Sequence, residues 1–197
     1  MLNSWMLQQQ TTLPTPNAKH QTKKITNHKQ KMNYKASYDN LTKIVTIGVT
    51  ILFAFICFAP LIIIKNGSAD RSPIYTVVAL ISVYFISYGF STKAYQLTQD
   101  EVIICRLLGN VKIKRSEILS VEIIEKEQMG WIIRTFGVGG LFGYWGKFSS
   151  STLGSMTWYA TKKNKIILIK TINNKRIVIT PDEMEQFVAD FNSSTIS

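Results

Sequence analysis

Few side chains in this sequence have the capacity for chemistry. The two histidines, His20 and His28, lie in a polar N-terminal stretch, and the two cysteines are Cys57, inside a long apolar run, and Cys105, inside a later strand-like run. The cysteines are expected in different phases, bilayer and water, which disfavours a disulfide between them. Without a Cys/His cluster there is no material for metal ligation or for an imidazole base, so no catalytic, metal or cofactor-binding residue is assigned. Glu122, Glu125 and Glu127 are spaced along a strand-like run and read as an exposed face rather than an acid–base constellation.

The densest unusual segment is Met129–Phe148, with glycines at 130, 137, 139, 140, 143 and 146 and the aromatics Trp131, Phe136, Phe142, Tyr144, Trp145 and Phe148. A P-loop needs glycine five positions before a Gly-Lys-Ser/Thr triplet, so that backbone amides cradle phosphates. Here Gly146-Lys147 is followed by Phe148 and preceded, five residues back, by Leu141. The dinucleotide pattern opened by Gly137 and Gly139 would need glycine at 142, which is Phe. Both phosphate readings fail. Two remain open: a strand pair whose glycines permit close packing, or a contact loop at headgroup depth, where aromatics and basic side chains sit well. The candidate contact residues are Trp131, Arg134, Phe136, Gly137, Gly139, Gly140, Phe142, Gly143, Tyr144, Trp145, Gly146 and Lys147.

Two apolar runs precede this segment. Ile44–Ile64 carries no charge over 21 residues, and at about 1.5 Å per residue covers roughly 31 Å, enough to cross a hydrocarbon core. Ile74–Phe90 is also uncharged and, at 17 residues, sits at the short end for a span, with Lys93 placed to reach the interface. The nine residues Lys65–Pro73 between them suffice only for a tight turn, so a transmembrane hairpin is expected. Seven lysines against Asp39 in residues 1–43, with only Lys65 and Arg71 against Asp70 in the turn, place both termini in the cytoplasm. The expected location is therefore the cytoplasmic membrane, crossed twice.

Residues 1–40 are rich in Gln, Thr, Asn and Lys, lack any apolar period and are expected to be disordered; Met32 is a candidate translational start. The net charge of +11 is concentrated in this tail, since residues 93–197 hold fourteen basic and ten acidic side chains. Basic character next to a membrane follows the positive-inside rule better than it signals nucleic acid.

From residue 94 the texture becomes short β-type runs: 94–97, 102–108, 111–115, 120–127, 155–161, 166–171 and 176–180. Short connections such as Gly109-Asn110 and Asn173-Asn174 favour an antiparallel meander of about seven strands. Thr180-Pro181-Asp182-Glu183 has capping-box spacing, and Met184, Phe187, Val188 and Phe191 then form one apolar helical stripe.

Strands closed by a C-terminal amphipathic helix resemble the pleckstrin-homology architecture. The runs Arg134–Phe148, Gly154, Tyr159-Ala160-Thr161 and Ile177–Asp182 are similar to the bacterial PH-domain membrane proteins, a resemblance covering about residues 95–191. It implies an α+β membrane protein: residues 41–93 as a two-helix hairpin, 94–192 as a PH-like β-barrel capped by a helix, and 193–197 as a tail. The turn that corresponds to the phosphoinositide-binding hairpin of eukaryotic PH domains, Thr98-Gln99-Asp100-Glu101, is acidic, which argues against that site. Lys112, Lys114 and Arg115, and Lys162, Lys163 and Lys165, are the other basic candidates, mostly read as solvated faces. The expected function is a non-enzymatic, membrane-anchored module whose partners are membrane lipid or a protein, including a second copy of the chain. The alternative is a small accessory subunit or regulator of a membrane enzyme or transporter. Spans without ionisable groups do not suit transport or catalysis.

Overall fold

In a computed structural model of the chain, residues 31–65 and 72–193 are described. The architecture is governed by Ile166, Ile167, Leu168 and Ile169, four consecutive apolar side chains that are all fully buried. Successive residues of a strand point to opposite faces, so such a run needs cover on both sides. Among the described residues the cover comes from two sheets together with the short helix that holds Met129 and the C-terminal helix that holds Phe187.

The elements run β1 (Met32–Lys35), α1 (Asn40–Lys65), α2 (Ser72–Phe90), β2 (Thr92–Leu97), β3 (Glu101–Arg106), β4 (Val111–Lys114) and β5 (Ile118–Glu125). There follow α3 (Lys126–Met129), β6 (Ile132–Gly140), β7 (Gly143–Ser150), β8 (Gly154–Ala160), β9 (Lys165–Thr171), β10 (Arg176–Ile179) and α4 (Met184–Ser193). One sheet has the order β1-β2-β3-β4 and the other β5-β9-β10-β8-β7-β6.

Each of the seven strands read from the sequence has a counterpart, and three are added: β1 and the two strands of the glycine-rich segment. The simple meander is corrected in the larger sheet. β10 inserts between β9 and β8, antiparallel to the first and parallel to the second, and β5 returns to pair with β9. The reason is burial: placing β10 centrally lets Ile177 and Ile179 face one core and Val178 the other.

The first core joins Tyr95, Leu97, Val102, Ile104 and Ile113 of the smaller sheet to Ile167, Ile169, Ile177 and Ile179, with Met184, Phe187 and Phe191 of α4 at its side. The second lies on the opposite face, where Ile166, Leu168 and Val178 meet Trp158, Met156, Tyr144, Phe148 and Met129. The expected amphipathic stripe of α4 is what enters the first core, but the expected cap is corrected. Thr180 is fully buried, and its hydroxyl accepts the Thr161 amide at 2.8 Å while its own amide donates to the Tyr95 hydroxyl at 3.0 Å. A hydroxyl committed to that network is not free to cap, and the helix opens only at Met184.

The reading of residues 1–40 as disordered is corrected at β1. This strand pairs antiparallel with β2, Tyr34 opposite Tyr95, and buries Tyr34 against the edge of the Phe187 ring at 5.0 Å. The Tyr34 hydroxyl donates to Asp190 at 2.5 Å. Four residues with a single buried side chain carry no readable period; their order comes from partners far along the chain. Residues 1–30, the bulk of the expected tail, lie outside the described residues, as does most of the connecting turn between α1 and α2.

Asp182 ties this N-terminal strand region to the end of the sheet. Its carboxylate accepts from the Ser37 hydroxyl at 2.6 Å, from the Ser37 amide at 3.1 Å and from Lys162 at 2.6 Å. Burial pushes its pKa up, but these donors outweigh it and hold the carboxyl below its ordinary value. A depressed folded pKa makes the contribution complete at neutral pH and progressively lost as pH falls below about 4. Asp182→Asn should therefore flatten the acid limb of the stability–pH curve, measured by thermal denaturation across that range. Phe187→Ala should cost roughly 3–5 kcal/mol by emptying the α4 anchor, read as a lower denaturant midpoint of tryptophan fluorescence.

Candidate functional site

The glycine-rich segment forms a long β-hairpin, β6 and β7, joined by the two-residue turn Leu141-Phe142 between Gly140 and Gly143. Midway along it, Gly137 pairs with Gly146, with φ of +106° and +124°. A Cβ on Gly137 would collide with the Trp145 carbonyl, and a Cβ on Gly146 with that of Phe136. The two backbones approach too closely, and in too unusual a conformation, for any other residue.

The turn is pressed into the helical pair. Phe142 is buried with its ring edge-on to Tyr84 and Tyr88, both at 5.1 Å, and its amide donates to the Thr46 hydroxyl at 3.1 Å. A φ of +56° is costly for phenylalanine, and these contacts hold it there. Gly140 sits beside Val45 so closely that a Cβ there would lie 3.4 Å from its side chain. Trp145 packs on Phe90 at 5.3 Å. The helices themselves are linked where Thr50 and Tyr84 share a hydroxyl–hydroxyl bond of 2.7 Å and Phe53 stacks on Tyr84 at 5.3 Å.

Further ties fix the helices to the sheets. Asp39 caps α1, accepting the Thr42 amide at 2.8 Å, and its own amide donates to the Thr161 carbonyl at 3.2 Å. Tyr144 donates to the same carboxylate at 3.5 Å. The Leu108 amide donates to the Gly89 carbonyl at 2.8 Å, joining the β3–β4 connection to the end of α2. Lys93, expected to reach for the interface, lies over the Tyr88 ring at 3.9 Å and donates to the Tyr38 hydroxyl at 3.2 Å.

The candidate contact residues thus separate into two groups. Gly140, Phe142, Gly143, Tyr144 and Trp145 are engaged within the chain, as the strand-pair reading has it, while Gly137 and Gly146 hold the hairpin together. Trp131, Arg134, Phe136, Gly139 and Lys147 are exposed. The residues that receive the turn, Thr46, Tyr84 and Tyr88, were missed from sequence. A signal existed: Thr46 and Thr50, and Tyr84 and Tyr88, are each four apart and so share one helix face within otherwise apolar runs.

Most of the other basic candidates are occupied. Lys162 pairs with Asp182 at 2.6 Å, Lys165 with Glu125 at 3.0 Å and Glu185 at 2.8 Å, and Lys112 with Glu101 at 3.8 Å. Arg115 stacks over Phe191 at 4.2 Å and donates to its carbonyl. Lys163 lies over the Tyr144 ring at 5.3 Å. Of the acids read as an exposed face, Glu122 is held below its ordinary pKa by hydrogen bonds from Lys170 and Ser120. Cys57 and Cys105 are both free thiols, and burial pushes the Cys105 thiol up. Among the described residues no group of three or more His, Cys, Asp or Glu side chains is placed to hold a metal ion.

The glycine pair generates a sharp contrast. Gly146→Ala and Gly137→Ala should each destabilise by roughly 2 kcal/mol or more. Gly139→Ala, where a Cβ would make ordinary contacts with the Arg134 side chain at 3.5 Å and the Tyr144 ring at 4.0 Å, should stay within about 0.5 kcal/mol, with all three read by denaturant unfolding.

Among the described residues one helix, over Asn40–Phe58, is long and apolar enough to cross a membrane, with mean hydropathy 2.2; Ile74–Phe90 is a shorter apolar helix. Neither the curated proteins nor the solved structures contain a match to the chain. The family model described as bacterial PH domain matches residues 93–195, the stretch that holds nine of the ten strands and α4, and the chain belongs to that family.

Proposed function

We propose that the protein is a membrane-anchored, non-enzymatic PH-like module, held against the cytoplasmic leaflet by α1 and α2 and serving contacts with lipid or with a protein partner. The observation that carries this reading is the seating of Phe142 between Tyr84 and Tyr88. A domain wedged into the ends of two apolar helices is fixed in height and orientation relative to whatever those helices cross.

Several features support the two-span form. The outward faces of α1 and α2 leave large apolar side chains uncovered, among them Ile44, Ile51, Phe55, Phe58, Val78 and Phe85, as a lipid-facing pair requires. Their internal polar bonds, such as Thr50 to Tyr84, are satisfied between the helices. At about 1.5 Å per residue the 19-residue α2 covers roughly 28 Å, sufficient for a thin or locally adapted bilayer. The lysine-rich sequence before α1 and the basic sequence after α2 set both ends in the cytoplasm. The non-enzymatic role rests on spans without charged side chains and on the cleft lined by Asp39, Lys126, Glu127, Lys162 and Lys163, whose lining includes no Ser, Cys or His to form a nucleophile–base pair.

Membrane fractionation tests this. The full chain should remain in the membrane pellet after alkaline carbonate washing. Protease tags at either terminus should be cut only from the cytoplasmic side. Release by carbonate, or a terminus cut from outside, would overturn the anchor or its topology respectively.

A further inference from the structure

The outer half of the hairpin remains unexplained by the wedge. Trp131, Ile133 and Phe136 are 85%, 67% and 70% exposed, the last two on β6, an edge strand of the larger sheet, and the first immediately before it. Single exposed apolar residues are ordinary; three within six residues along one sheet edge are not.

Their common direction is built. β6 pairs with β7 as Ile133 opposite Ser149 and Arg134 opposite Phe148, then shifts so that Phe136 lies opposite Lys147. Phe148 points into the second core, so an unbroken strand would carry residues 132, 134 and 136 on that inner face. The bulge between Arg134 and Phe136 turns Phe136 over, onto the outer face with Ile133. The start of the strand is equally fixed. The capping box of α3 and the complete burial of Met129 anchor the turn, and the Trp131 amide and carbonyl both bond to Ser151, at 3.1 and 3.0 Å. An indole this exposed on a backbone this well held is presented outward, not left over.

The strand also lies at one height. Trp131 lines an open cleft of about 950 Å³ together with Leu41 in the first turn of α1, and Gly140 at the other end touches Val45. Leu41 and Val45 are separated by about 6 Å along the helix, whereas nine strand residues extend for about 30 Å. β6 therefore crosses the axis of α1 rather than following it, at the level of the first two turns. If α1 enters a bilayer, the outer face of β6 runs along its surface. The apolar line continues through Val138 and Trp145, cross-strand neighbours on the same face, to Phe90 at the end of α2. Lys147 stands beside Phe136, and the cleft beside Trp131 is lined by Lys126, Lys162 and Lys163 against Asp39 and Glu127. Apolar and aromatic side chains flanked by lysines complement the acyl boundary and the anionic headgroups of one leaflet.

We infer that the sheet edge formed by Trp131 and by Ile133 and Phe136 on the outer face of β6 is a lipid-docking edge that lies in the headgroup region of the leaflet entered by α1. This rests on the anchoring reading above and adds a second, non-spanning membrane contact to it. The edge holds the domain flat on the leaflet while the Phe142 wedge holds it to the helices.

The test uses the full chain in vesicles of phosphatidylethanolamine and phosphatidylglycerol doped with a phosphatidylcholine brominated high on its acyl chains. The fluorescence that Trp131→Phe removes is assigned to Trp131, and should fall about twofold in brominated vesicles. Phe136→Glu should relieve that quenching while the chain stays in the carbonate-washed pellet. A chain that resists carbonate but whose Trp131 signal ignores brominated lipid would overturn the docking edge and leave the anchor standing. A chain that carbonate releases would overturn the anchor itself and this inference with it. Efficient cross-linking of Ile133→Cys between copies, in a chain with Cys57→Ser and Cys105→Ser, would assign the edge to a second copy and likewise overturn it.

Discussion

Everything in this molecule is arranged around a strand that cannot be exposed on either side. With Ile166 to Ile169 all buried, β9 must be sandwiched. One face is covered by the smaller sheet and α4, the other by side chains of β7, β8 and α3. Apolar burial at about 25 cal/mol per Å² dominates such an arrangement and is indifferent to direction. Direction comes from the hydrogen bonds: β10 slots in beside β9 and meets β8 in parallel, and that placement pushes β7 and β6 to the sheet margin. The margin is where the helices stand.

At that margin the backbone carries the argument. The facing glycines at 137 and 146 let β6 and β7 come closer than side chains allow, producing a hairpin whose turn fits against two helices. Its phenylalanine is kept in a left-handed conformation by Thr46, Tyr84 and Tyr88. Strain of this kind persists only where the surroundings over-determine it. A second connection passes from the Tyr95 hydroxyl through Thr180 and Thr161 to the capping Asp39 of α1, so the domain core and the helix start share one polar chain. The domain is consequently not a bead on a tether. It is braced against its helices from both ends of α1's first turns, and the exposed face of β6 inherits a defined position from that bracing.

Much of this was legible in the amino-acid sequence. Periodicity marks seven strands and the α4 stripe, because a half-buried element repeats its contacts at fixed spacing. Charge-free length marks the two apolar helices. The glycine-rich segment stood out by composition, and within it Gly140, Phe142 and Trp145 meet α1 and α2. What composition could not do was divide them. Phe136 and Phe142 are both phenylalanines among glycines, yet one is turned outward by a bulge and the other is clasped by two tyrosines.

Local pattern determined which segments are strands, which are helices and which positions are apolar, since those follow from the side chains' own spacing. Tertiary structure decided the rest. The order of β1 depends on a sheet edge and on Phe187, more than a hundred residues away. The task of Thr180 depends on Thr161 and Tyr95 rather than on the helix it precedes. The insertion of β10 depends on two cores formed at once. Each is a contact between residues distant along the chain, and such contacts leave no periodic trace because neither partner's neighbours need to repeat them.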